Sequence, residues 1–164
     1  MVISKQKNIV ISYDNGGVIT NSELYDSSKY ICLSLNGDIK STKGILSIIN
    51  PGEYEYMGIL IKVTQNKNTF ISSEGIKICI VGDDSLLIKE DGINNVDIII
   101  LDAIKGKKYS QEDILAIQKA IQPKIIVANS HTADENIANA EKINKIKMKS
   151  SELDAIVDTK LYIL

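Results

Sequence analysis

Apolar residues in this chain come mostly in short runs, separated by polar or glycine-containing gaps. Two runs dominate the middle: residues 76–81 (I-K-I-C-I-V) and 96–101 (V-D-I-I-I-L). Both are rich in β-branched residues and both are cut off by glycine or acidic residues. Runs of that length, bounded by turn residues, predict strands buried on both faces rather than helices. The first ends in Gly82-Asp83-Asp84 and the second in Asp102, so carboxylates gather just past the strand ends. Open α/β sheets usually keep their chemistry at such ends.

Upstream, residues 2–4, 9–12, 18–20, 30–35 and 44–49 read as further strands, with a polar turn over 5–8 and dense turn signals at 13–17 and 36–38. Residues 21–29 are polar and read as loop, and Pro51-Gly52 marks a tight turn. From Glu53 the chain becomes a meander: 54–56, 59–64, 69–72 and 76–81, with breaks of hairpin length at 57–58, 65–68 and 73–75. After Asp83 the character changes. Residues 85–95 have room for a helical turn. Ser110 then opens a helix as N-cap, with Asp113 three residues on; Ile114, Ile117 and Ile121 keep helical spacing and Pro123 ends it. Residues 124–128 return as a strand, 133–141 form a second, polar helix candidate, and 143–148 and 161–164 read as terminal strands around a short helix or turn at 150–155. Strands at the front followed by strand–helix–strand–helix predict a single domain over residues 1–164, an αββα sandwich in the α/β (α+β) class.

Composition narrows the function classes. The chain has 164 residues, 44% of them hydrophobic, 24% charged, with a net charge of −2, so no basic excess argues for nucleic acid. With one Phe and no Trp, the core must be aliphatic. Cys32 and Cys79 sit inside apolar runs without CxxC spacing, which predicts small buried thiols, neither zinc ligands nor a disulfide pair. That cysteine usage, with no signal-peptide core and no apolar stretch of membrane-spanning length, points to a cytoplasmic protein with no membrane partner.

Four segments in order carry a resemblance: N-P-G-E-Y-E-Y (50–56), N-T-F-I-S-S-E-G-I-K-I-C-I-V-G-D (68–83), N-V-D-I-I-I-L-D-A-I (95–104) and I-Q-P-K-I-I-V-A-N-S-H (121–131), with a similar tail over 146–153. Together they resemble small zinc-dependent hydrolases of the metallo-β-lactamase fold, shortened here at the N-terminal sheet. The resemblance implies a zinc centre that makes hydroxide from bound water, held by an H-x-H-x-D-H segment after a buried strand. At the matching place this chain reads L-N-G-D-I-K (35–40), without histidine; Asp38 falls one position out of register with the family's aspartate. The family's earlier G-H has no counterpart, and residues 59–68 hold no histidine. Two relics remain: Gly82-Asp83, matching the glycine-aspartate whose carboxylate bridges metals, and His131, at or one residue beyond the last ligand histidine.

His131 is the sole histidine in the chain. One carboxylate and one imidazole fall short of the three or four ligands zinc takes. Asp83 reads as a turn carboxylate and His131 as a loop histidine; Asp84 and Asp102 cap strand ends or, with Asp83 and Asp38, make an oxygen-rich site for Mg²⁺ or Ca²⁺. Ser85 and Ser130 have no candidate base other than His131. The expectation is a catalytically inactive pseudo-hydrolase without cofactor, serving as a binding, structural or assembly module. Its partner is a second copy or another protein chain that covers an N-terminal edge strand left bare by the shortening. The alternative is a metal-dependent, phosphoesterase-like hydrolase with a reduced site on Asp83 and His131, and zinc belongs to that alternative alone.

Overall fold

The computed structural model describes residues 1–5, 9–14, 16–20, 30–33, 46–48, 50–82, 92–101, 108–131, 133–134 and 137–164. In chain order the strands are β1 (Val2–Lys5), β2 (Ile9–Ser12), β3 (Gly17–Thr20), β4 (Tyr30–Leu33), β5 (Leu46–Ile48), β6 (Gly52–Tyr56), β7 (Ile59–Val63), β8 (Thr69–Ser73), β9 (Ile76–Ile80) and β10 (Ile98–Leu101). A 3-10 turn at Ile93–Asn95 precedes β10. Helix α1 (Gln111–Ile121) then leads to β11 (Ile125–Ala128), β12 (Ala140–Lys142), β13 (Lys145–Lys147), α2 (Ser150–Asp154) and β14 (Lys160–Ile163). Among the described residues these strands form two sheets, one ordered β13-β1-β2-β3-β4-β5 and the other β12-β14-β11-β10-β9-β8-β7-β6.

Period-two alternation decides how the sheets mate. Ile3, Ile9, Ile11, Val18, Ile31 and Leu33 of the first sheet share one buried cluster with Ile59, Ile61, Ile71, Ile78, Ile98 and Ile100 of the second. The second sheet also buries its other face. Cys79, Ile99, Leu101, Ile126 and Ala128 meet Ile114, Ile117 and Ile121, the apolar stripe of α1. Strands β10 and β11 are therefore buried at every residue, as their unbroken apolar runs require. Cys32 and Cys79 are buried free thiols.

Local chemistry fixes the turns. Met57-Gly58 and Glu74-Gly75 both have positive φ at each residue (51° and 78°, 52° and 72°), the two-residue hairpin geometry that matches strand twist. Helix α1 opens on a capping box: the Asp113 N–H donates to Ser110 Oγ at 3.2 Å and the Ser110 N–H donates to Asp113 Oδ2 at 2.9 Å. It ends on left-handed Gln122 (φ 53°) before Pro123.

One expectation changes, and the terminal strands gain a placement. The polar stretch 133–141 is not a helix where it is described. Ala133 bridges Tyr109, Asn139 takes a left-handed φ of 60°, and β12 begins at Ala140 alongside β14. Left-handed Asn139 stops a helix before Ala140, and Ala133 and Ile137 reach the core on the α1 side while Ala140 joins β12. The strand expected at 143–148 crosses to the first sheet, where β13 pairs antiparallel with β1. Consequently β1 lies between β13 and β2 and is not an edge strand; the first sheet ends at β13 and β5 instead. No described helix is long and apolar enough to cross a membrane.

At the end of the sandwich where β1 starts, the Met1 ammonium lies 3.2 Å from Glu74 Oε2, and the Asp14 N–H donates to Glu74 Oε1 at 2.8 Å. Burial pushes the Glu74 carboxyl up, but the Asp14 N–H and the ammonium's hydrogen bond and charge together outweigh it and leave the carboxyl below the usual range. Tyr13 is buried in the core beside it; burial first, then the Glu74 charge, pushes its phenol well above the ordinary value.

Because the folded Glu74 carboxyl titrates below its unfolded counterpart, its contribution is present above the unfolded value and is lost as pH falls through the folded one. The urea midpoint should therefore drop below about pH 5 with a steeper acid limb than in Glu74→Gln. At pH 7 the variant should lose about 1 kcal/mol or less, since solvent screens this pair. A second prediction concerns the end of β9. The Gly82 N–H donates to the buried Asn68 Oδ1 at 2.9 Å, and a Cβ at Gly82 would overlap the Lys67 carbonyl group. Gly82→Ala should cost about 2 kcal/mol or more, read as a lowered urea midpoint at unchanged slope.

Candidate functional site at the strand ends

Strands β9, β10, β11 and β14 run parallel in the order β14-β11-β10-β9, so their C-terminal ends emerge along one edge of the second sheet. The first of these ends is the Gly82 turn; a side chain there would collide with the neighbouring hairpin, which accounts for glycine in the Gly82-Asp83 pair. Asp83, Asp84, Ser85 and Asp102 follow the ends of β9 and β10, and Asp38 follows β4; all five lie outside the described residues.

The turn after β11 carries the described part of the site. Asn129 is buried and ties the turn to its neighbours. Its N–H donates to the Leu101 carbonyl at 3.4 Å, and its own carbonyl accepts from the Ala133 N–H at 3.0 Å. The Ser130 N–H donates to the Leu164 carbonyl oxygen at 2.8 Å, beyond the end of β14. The His131 N–H donates to Asn129 Oδ1 at 3.1 Å, an Asx turn that leaves His131 on the surface. So the expected position of His131, directly past a buried strand, is where the structure places it. Ser130 stands one residue before it, also exposed.

Sequence reading missed the residue that completes this cluster. Lys5, expected in a polar turn, is the last residue of β1, and its Nζ crosses from the first sheet to the second. It donates to Asn129 Oδ1 at 2.8 Å, Ser130 Oγ at 2.6 Å and the Leu164 carbonyl oxygen at 3.3 Å. Three N–H donors thus meet three oxygens. No motif announced this, since the partners lie 124, 125 and 159 residues away in sequence.

Chemically the described site is an ammonium held by an amide oxygen, a hydroxyl and the Leu164 main-chain oxygen, with exposed His131 one residue beyond Ser130. Ser130 Oγ is held by a group donating into it, the reverse of activation by a base. Among the described residues no three His, Cys, Asp or Glu side chains gather; the carboxylates expected near His131, Asp83, Asp84, Asp102 and Asp38, lie outside them.

No family model matches the sequence, and comparison with curated proteins finds no match. Solved structures do match. A proposed Zn-dependent hydrolase of the metallo-β-lactamase superfamily from Thermotoga maritima aligns with 99% of this chain and 98% of its own, at 13% identity and a TM-score of 0.65. Zn²⁺-bound PqqB from Methylobacterium extorquens aligns with 94% of this chain and 82% of its own, at 10% identity and a TM-score of 0.45. The expected sandwich is thus the observed one: this chain has the metallo-β-lactamase fold.

Proposed function

We propose that this chain is a metallo-β-lactamase-fold protein without hydrolase chemistry, working as a binding, structural or assembly module. One observation carries the reading: a chain of 164 residues with a single histidine, exposed one residue beyond the Ser130 hydroxyl that receives the Lys5 ammonium. Zinc hydrolysis needs about three protein ligands and an open position for water. One imidazole does not supply that set. The relevant partner is a protein surface, either a second copy or another chain. Among the described residues β5, β6, β12 and β13 each have a strand neighbour on one side only, and such edges are where a further chain can add. The modest net charge of −2 speaks against nucleic acid.

Elemental analysis of protein purified without chelator, alongside Asp83→Ala, tests the reading. Near-zero zinc, manganese and iron in both, no turnover of generic phosphoesters, and a mass above the monomer in light scattering at micromolar concentration are expected. About one metal per chain, lost in Asp83→Ala together with phosphoester turnover, would replace this reading with a metal-dependent hydrolase on Asp83 and His131.

A further inference from the structure

We infer that the Lys5 ammonium is the resident cation of the strand-end site: it locks the Asn129–His131 turn and ties the two sheets together where a metal would otherwise do so. The inference rests on reading the chain as metal-free. Its first support is saturation. An ammonium has three donors, and Asn129 Oδ1, Ser130 Oγ and the Leu164 carbonyl oxygen take all three at 2.8, 2.6 and 3.3 Å. A lysine that served as a surface charge would leave most of its donors to water.

The second support is what those oxygens do. Asn129 is buried, and the Oδ1 that receives Lys5 also receives the His131 N–H at 3.1 Å. The Leu164 carbonyl that receives Lys5 also receives the Ser130 N–H at 2.8 Å. Lys5 therefore closes two small rings of hydrogen bonds that set the direction of Ser130 and His131. A charged donor makes the stronger kind of hydrogen bond, so the turn's geometry is coupled to that one charge. The third support is the placement of β1. Its other end is also pinned to the second sheet by a cation, the Met1 ammonium on Glu74 at 3.2 Å. Strand β1 is thus a two-ended strut, and Lys5 is a positioning residue for the turn that carries the sole histidine.

A thermal and hydrogen-exchange cycle over Lys5→Met, Ser130→Ala and the double variant tests this. Lys5→Met keeps most of the stem and removes the charge. It should lower the melting temperature by about 5 °C and speed exchange of the His131 amide by about tenfold or more. Ser130→Ala should shift wild type but leave the Lys5→Met protein unchanged. Melting of Lys5→Met within about 1 °C of wild type, or an equal Ser130→Ala effect in both backgrounds, would overturn the inference. Should Lys5→Met not fold, lysine-selective ammonium NMR of the unaltered protein decides. One slowly exchanging ammonium that moves in Ser130→Ala supports the strut, and its absence refutes it. Stoichiometric zinc in the purified protein would sink the functional reading whatever the cycle shows. Metal-free protein with no Lys5–Ser130 coupling would sink the Lys5 assignment alone.

Discussion

Parallel strands buried on both faces leave their last peptide groups at one edge, and every one of those groups must find a partner or lose the benefit of burial. In this fold the demand falls on the ends of β9, β10, β11 and β14. Strands β10 and β11 are buried at every residue and β9 at all but Lys77, so these three cannot loosen without exposing isoleucines. The described ends are met by side chains from distant parts of the chain: Asn68 receives the Gly82 N–H, and Lys5 and Asn129 hold the turn beyond β11. Buried polar groups of this kind cost more when left unmade than they return when made, which is why the cluster is closed on every described side.

On the proposed metal-free reading, the strand ends must meet that constraint with the chain's own groups. A divalent ion at strand ends gathers side chains from both sheets around one charge. On the proposed reading, an ammonium from β1 does a similar job through oxygens of Asn129, Ser130 and Leu164. On that reading the site lacks the Lewis acidity that zinc hydrolysis requires. The likeness to a proposed Zn-dependent hydrolase at 13% identity speaks for the architecture alone.

Much of the architecture was legible because it rests on local rules. The hairpins at Met57-Gly58 and Glu74-Gly75, the Ser110–Asp113 capping box and the doubly buried β10 and β11 each follow from residues within a few positions of one another. What depended on distant pairing was not legible. The helix expected over 133–141 gave way to a bridge and to β12 because α1 already covers this face of the sheet and β14 offered a strand partner. The strand expected at 143–148 is present as β13, but its place in the first sheet, with Ile146 opposite Ile3 of β1, rests on distant pairing. In the site, Gly82 and His131 stand where their spacing placed them, whereas Lys5 matters only through partners more than a hundred residues away. Asp38, Asp83, Asp84 and Asp102 fall outside the described residues, so their part stays with the sequence reading.

The central claim is that this sandwich holds its strand ends with its own charge and not with a metal. Thermal unfolding of the untagged protein in chelator and in excess zinc tests that claim most directly. Any ion that binds the folded state and not the unfolded one raises the midpoint with concentration. The account predicts superimposable melting curves across zinc concentrations. A saturable rise of several degrees with zinc, abolished by chelator, would contradict it.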